Sequence, residues 1–215
     1  MAWSAENATR AYLQTMKMGK RPKHPDVAEF LSALAAGSNA RLMVESCGGS
    51  AGSMTLALIA AAHQTGGRVV CIVANINELR SSEEALGAEA NCVEFVVGEA
   101  GMLLLNDYKE ADFVLIDCNM KEHEKVLKAA CTGKKCGGAV IMGYNAFQRG
   151  SWWSGSRTNL LPIGNGLQVI RIPATKKAGV GGDPRKSRWF VRVDQLTGEE
   201  HVFRIRSQHR EEVAA

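Results

Sequence analysis

Arg41-Leu42-Met43-Val44-Glu45-Ser46 is followed by Cys47-Gly48-Gly49-Ser50-Ala51-Gly52, by Ser53 to Gln64, and by Gly66-Gly67 before Arg68-Val69-Val70-Cys71-Ile72-Val73. The first segment reads as a short strand and the second as a glycine-rich turn. The third reads as a helix of small residues, stopped by the glycine pair, and the last as another strand. A strand that empties through glycines into a helix lets backbone approach a ligand closely. The helix N-terminus then offers unpaired N–H groups to an anion. The stretch therefore predicts the ligand-binding end of a Rossmann-like α/β sheet.

Working outward, Ser4 to Met18 carries Ala8, Ala11, Tyr12, Thr15 and Met16 at helical spacing, with Ser4 as its cap. A basic link from Lys17 to Lys23 leads past Pro22 and Pro25 to a second helix, capped by Asp26 and running to Ala36, with Val27, Phe30, Leu31 and Leu34 on one face and Gly37 ending it. Downstream, Asn77–Leu86 is a helix closed by Gly87, and Cys92–Val97 is a strand that ends at Gly98-Glu99-Ala100. Ala111–Cys118 is a nearly all-apolar strand, as expected of a parallel strand covered on both faces. Glu122–Cys131 is a helix and Gly138–Gly143 a fifth strand. This alternation predicts a mostly parallel sheet. Beyond it, Leu167–Ile172, Arg188–Asp194 and Glu200–Arg206 read as strands, the last pair joined through Leu196-Thr197-Gly198-Glu199 as an antiparallel C-terminal hairpin. Ala174–Lys186, rich in Lys, Gly and Asp, reads as a loop. The expected organisation is a single domain over 1–215, with N-terminal helices over 1–37, a core over 41–172 and the hairpin over 188–206.

The 215 residues suffice for a sizeable core. No apolar run approaches the roughly 20 residues of a membrane span, and Met1-Ala2-Trp3-Ser4-Ala5-Glu6 lacks a secretory pattern. The six cysteines (Cys47, Cys71, Cys92, Cys118, Cys131, Cys136) have no CxxC spacing. They fit reduced thiols in the cytosol or nucleus better than a disulfide framework or a zinc motif. The expected compartment is the cytoplasm, and with no membrane span a membrane partner is not expected. A net charge of +4 is too small to imply nucleic acid. Trp189, Phe190 and Phe203 alternate with charges as in a half-buried hairpin rather than as a base-stacking ribbon, so a nucleic-acid partner is disfavoured.

Several motifs in order resemble the S-adenosylmethionine-dependent methyltransferases, and within them the caffeoyl-CoA and catechol O-methyltransferases. Val44-Glu45 and the glycine turn resemble the first cofactor motif, and Gly98-Glu99-Ala100 the family's Gly-Asp-Ala near adenine. Leu115-Ile116-Asp117 resembles the fourth-strand motif, and Gly137-Gly138-Ala139-Val140-Ile141 the opening of the fifth strand. Leu161-Pro162-Ile163-Gly164-Asn165-Gly166-Leu167 is similar to Leu-Pro-Ile-Gly-Asp-Gly-Leu, the longest and most specific match. The whole chain also resembles a plant family known only as a domain of unknown function and grouped with these enzymes. The resemblance implies a class I methyltransferase fold, S-adenosylmethionine as cofactor and a small-molecule acceptor. It implies cofactor contacts at Glu45, Cys47, Gly48, Gly49, Gly52, Ser53, Asn75, Gly98, Glu99, Ala100 and Asp117. Asp117, Tyr144 and Asn145 fall at the catalytic positions, and Trp152 and Trp153 where the acceptor is covered.

The departures from the family are as informative. Cys47 and Ala51 stand at the first and last turn glycines, and Val73 where a carboxylate would take the ribose hydroxyls, leaving Asn75, Asn77 and Glu78 as the nearest polar groups. Of the family's cation ligands, Asp117 and Asn145 remain, but Tyr144 replaces the intervening Asp. One carboxylate and one amide make a poor octahedral Mg²⁺ site, so no tightly bound metal is expected. Two functions stay open: a metal-independent small-molecule O-methyltransferase, and a catalytically inactive relative that binds or regulates. A nicotinamide enzyme is a weaker third, for want of GxGxxG. Each site residue also has a plainer role: Glu45 pairing with a lysine, Asp117 capping a helix, and Trp152-Trp153 packing as a lid or a homodimer contact.

Overall fold

The computed structural model describes residues 3–18, 25–132, 138–149, 158–173, 188–193 and 200–205. The chain divides into two compact units, Met1–Thr175 and Lys176–Ala215. In the first, α1 (Ala5–Met18) and α2 (Pro25–Gly37) precede β1 (Leu42–Ser46), α3 (Ser53–Thr65), β2 (Arg68–Val73), α4 (Ile76–Leu86), β3 (Val93–Val97), α5 (Ala100–Leu105), β4 (Phe113–Asp117), α6 (His123–Thr132), β5 (Ala139–Tyr144), β6 (Thr158–Leu161) and β7 (Leu167–Ile172). They form a seven-stranded sheet in the order β3-β2-β1-β4-β5-β7-β6. β1 to β5 are parallel, whereas β7 runs antiparallel between β5 and β6. In the second unit, β8 (Arg188–Val193) and β9 (Glu200–Ile205) pair antiparallel from Arg188↔Ile205 to Val193↔Glu200. The mostly parallel sheet and the C-terminal hairpin read from the sequence are both present.

Side chains alternate across the sheet and divide the core. Met43, Phe113, Leu115, Val140 and Met142 face one way, against α1, α2 and α3. Val44, Val114, Ile116 and Ile141 face the other, with Leu104 of α5 and Val126 and Leu127 of α6. The small residues of α3 have a packing reason: Ala57, Leu58, Ile59, Ala60 and Ala61 are all fully buried, because the helix lies between the sheet and the α1–α2 pair. Alanines let those layers approach closely. Gly66 ends α3 in the left-handed conformation (φ 64°) and donates to the Ala62 carbonyl. The Asn7 N–H reaches Ser4 Oγ at 3.3 Å, so Ser4 caps α1 as read.

Some boundaries differ from the sequence reading. α2 begins at Pro25, so Asp26 lies inside it. The fourth strand is shorter than Ala111–Cys118, because the Asp112 carboxylate turns back to accept the N–H groups of Arg41 and Leu42. β6 and α5 carry no sequence signal; four and six residues are too few to display a period. The 174–186 loop, the 196–199 turn and Trp152-Trp153 lie outside the described residues. Among the described residues, no helix is long and apolar enough to cross a membrane.

Phe113, the first residue of β4, is the largest fully buried side chain among the described residues. Phe113→Ala is expected to cost about 3–5 kcal/mol, read as a lower urea midpoint with an unchanged m-value.

Candidate functional site

Parallel pairing sets the ends of β1, β2, β3 and β4 side by side. Glu45 is level with Cys71 on one neighbour and Leu115 on the other, and Val73 is level with Val97. At these ends lies a hollow of about 210 Å³, lined by Cys47, Val73, Ala74, Gly98, Glu99 and Ala100, with Met120 to Glu122 on its far wall. A second cavity of about 300 Å³ is lined by Glu45, Gly52, Ser53, Tyr144, Asn145 and Asn165, with Val27, Met54 and Ile163 supplying apolar surface. Of the predicted site residues, Cys47, Gly98, Glu99 and Ala100 line the first hollow and Glu45, Gly52, Ser53, Tyr144 and Asn145 the second, whereas Gly48, Gly49, Asn75 and Asp117 line neither.

Glu45 is 1% exposed. Its Oε2 accepts from Thr55 Oγ1 at 2.7 Å, and Thr55 Oγ1 itself accepts the Gly52 N–H at 3.1 Å. The helix thereby ties its own N-terminus to the carboxyl of β1. Burial raises the Glu45 pKa from 4.5 to about 7, against the lowering hydrogen bonds of Thr55 and the Cys47 thiol, with Asp117 raising it further. Among the described ion pairs none involves Glu45, so the lysine partner weighed from the sequence is not found there.

The altered turn is packed rather than empty. Cys47 and Ala51 are buried with Cys71, Val73 and Leu86, and the Ala51 N–H donates to Ser82 Oγ of α4 at 2.8 Å. Cys47 Sγ lies 3.1 Å from Cys71 Sγ, and this contact, with burial, pushes the Cys47 thiol pKa up. Gly48 is needed where it stands: a Cβ there would lie 2.5 Å from Asp117 Oδ2. At Gly49 and Gly52 an added Cβ would meet nothing within 4 Å, so both border open space.

Asp117 ends β4, and its Oδ1 accepts from the Asn119 N–H and from Asn145 Nδ2, both at 2.9 Å. Asn145 follows β5 with φ 61°, a left-handed conformation that asparagine tolerates. Its Oδ1 accepts from Asn165 Nδ2 at 3.4 Å. The Ala146 and Phe147 N–H groups donate to the Gly166 and Asn165 carbonyls, which ties the Leu161–Leu167 motif to the end of β5. Burial, then Glu45 and Asp117, push the Tyr144 phenol pKa far up. The Tyr144 phenol therefore keeps its proton.

Asn75 does not line the hollow. Its Oδ1 caps α4, accepting the Asn77 and Glu78 N–H groups at 3.0 Å, while Glu78 Oε2 accepts the Ala74 N–H. Glu99 lines the hollow and also caps α5, accepting the N–H groups of Gly101 and Met102. Sequence reading missed Met120, whose Sδ accepts from Ser46 Oγ at 3.3 Å, and Asn165, which it quoted only within a motif. A divalent cation at Asp117 and Asn145, as the resemblance implies, does not fit. One carboxylate oxygen already holds two N–H donors, the amide oxygen points to Asn165, and the third ligand position is a protonated phenol.

A central β1 flanked by β2 and β4, with an antiparallel β7 inserted beside β5, is the class I methyltransferase fold. Solved structures of that fold align over most of the chain. A methyltransferase from Geobacter sulfurreducens matches at TM-score 0.54 and 21% identity, over 78% of this chain and 90% of its own. The Podospora anserina methyltransferase PaMTH1, bound to S-adenosylhomocysteine, matches at TM-score 0.55 and 15% identity, over 81% and 90%. A Bacillus cereus O-methyltransferase, also in complex with S-adenosylhomocysteine, matches at TM-score 0.51 and 18% identity, over 79% and 91%. No curated protein matches the sequence. Within this fold the chain belongs to the family described as "Protein of unknown function (DUF1442)", whose profile spans residues 1–205.

Since the Glu45 pKa is higher folded than unfolded, the native state holds the extra proton between pH 4.5 and about 7. Stability falls as pH rises through that window, by about 3 kcal/mol in all. Urea unfolding at about pH 5 and about pH 8 should show this difference in the natural chain and a smaller one in Glu45→Gln.

The glycine turn gives a paired expectation. Gly48→Ala should destabilise by about 1–3 kcal/mol, because Asp117 must shift. Gly49→Ala should stay within about 0.5 kcal/mol. Thermal melts of both variants check this.

Proposed function

We propose that the chain is an S-adenosylmethionine-dependent methyltransferase that acts on a small-molecule hydroxyl or similar nucleophile without a hard divalent cation at β4 and β5. One observation carries the reading: Cys47, Val73–Ala74 and Gly98–Ala100 converge from successive strand ends on one hollow. Solved relatives in fold hold S-adenosylhomocysteine, which supports the same cofactor here. The free buried thiols Cys47, Cys71 and Cys118 suit a reducing compartment such as the cytosol.

On this reading the Gly98–Ala100 corner and Val73 hold the adenosine. The turn from Cys47 to Ser53 takes the methionine end, and Glu45 receives its ammonium. The bound cofactor supplies an electrophilic methyl group on a sulfonium. The protein's task is then to hold the acceptor in line and remove its proton. Tyr144 and Asn145 orient the acceptor in the larger cavity, and Asp117, held by two N–H donors, accepts the proton. The apolar Val27, Met54 and Ile163 exclude water from that side.

Isothermal titration with S-adenosylmethionine and with S-adenosylhomocysteine tests the cofactor assignment. Binding is expected to tighten for S-adenosylmethionine as pH rises through about 7, where Glu45 ionises. Absence of binding at millimolar ligand rejects the reading. Given turnover of a labelled methyl group on a phenolic or thiol acceptor, Asp117→Asn should lower kcat by about 10²-fold or more. Cofactor binding with no turnover on any acceptor would instead favour the inactive relative.

A further inference from the structure

The sequence has no zinc motif, yet the sheet builds a cluster that the spacing conceals. β1 and β2 run parallel with Glu45 level with Cys71, so Cys47, two residues beyond Glu45, points to the same side. The carboxylate oxygen of Glu45 and the sulfurs of Cys47 and Cys71 all lie within 4.8 Å of one another, and all three side chains are buried. Among the described residues this is the only such grouping of histidine, cysteine, aspartate and glutamate. We propose that Glu45, Cys47 and Cys71 form a binding site for a thiophilic divalent cation of the Zn²⁺ class.

Chemistry favours a soft cation over Mg²⁺ or Ca²⁺. Two thiolates and one carboxylate are ligands for zinc and its neighbours, whereas the hard cations take oxygen throughout. Zn–S bonds of about 2.3 Å at tetrahedral angles place sulfurs about 3.8 Å apart. The observed 3.1 Å therefore needs a small opening of the pair. Thr55 already orients the carboxyl through Oε2, which leaves Oε1 to ligate; this is the outer-shell arrangement that ligating carboxylates use. Cys47 and Cys71 pack together in one apolar cluster, and among the described ion pairs none involves Glu45. A divalent cation would take the place of the thiol and carboxyl protons, which leave as it binds. Cys47 borders the smaller hollow and Glu45 the larger cavity, so the cluster lies against both. Three protein ligands leave a fourth position free.

This inference does not rest on the proposed cofactor. A bound cation and the cofactor ammonium would draw on the same carboxylate, so they are alternative occupants.

The reduced, metal-stripped full chain is titrated with Co²⁺ without cofactor, and thiolate-to-cobalt charge-transfer absorption is followed in the near ultraviolet. The expected result is one equivalent bound, displaced by Zn²⁺. The band should be lost in Cys71→Ser, and affinity should fall about tenfold or more in Glu45→Gln. A second protein keeping only Cys47 and Cys71, with Cys92, Cys118, Cys131 and Cys136 changed to Ser, should retain the band if folded by circular dichroism. No band in the natural chain, a band unchanged in Cys71→Ser, or its loss from the folded two-cysteine protein each overturns the proposal.

Discussion

The pairing of β1 between β2 and β4 is the constraint on which the rest depends. It fixes Glu45 level with Cys71 and Leu115, and so decides which side chains meet at the strand ends. A slip of one residue would turn Glu45 into the opposite core and bring Val44 or Ser46 toward Thr55. Asp112 secures this register from the far end of the strand by accepting the N–H groups of Arg41 and Leu42. At the near end, Thr55 accepts from Gly52 and donates to Glu45, so strand, turn and helix are locked at one hydroxyl. Thr55, in the first turn of α3, would have no such role in an isolated helix; the contact exists because α3 packs on the strands.

Departures at Cys47 and Ala51 look, in sequence, like damage to a ligand cradle. In the structure both side chains fill space between β1, β2 and α4, and Ser82 fixes the turn from outside. The requirement for glycine has moved to Gly48, where the backbone passes against Asp117. A turn rebuilt in this way can leave room at Gly49 and Gly52 while gaining buried contacts.

Much of the fold is legible in the sequence because its signals are local. Gly66, Gly87 and Ser4 punctuate helices, and the apolar run of β4 marks a strand covered on both faces. β6 and α5 escape because they are shorter than the periods that would announce them. Of the site, Glu45, Gly98, Glu99 and Ala100 are readable because they stand at strand ends. The Glu45–Cys47–Cys71 cluster is not, because the two cysteines are 24 residues apart and only the parallel pairing unites them. Asn75 is the opposite case: it occupies the expected strand end, yet its carbonyl oxygen is committed to the helix behind it.

The end of β5 shows how one substitution propagates. With Tyr144 where the related enzymes have an acidic ligand, the pair of groups that remains cannot enclose a hard cation, and Asn145 turns its amide nitrogen to Asp117 instead. That leaves the Asn145 carbonyl oxygen to accept from Asn165, which itself stands where the related motif has Asp. An aspartate at 165 would set an acceptor against an acceptor. An aspartate at 145 would place a second carboxylate against Asp117 with no cation to hold them together. The two amides form one chain of donors that ends on Asp117: Asn165 donates to Asn145, and Asn145 donates to the carboxylate. The left-handed backbone at Asn145 is the local strain that this arrangement requires, and asparagine bears it at the least steric penalty after glycine.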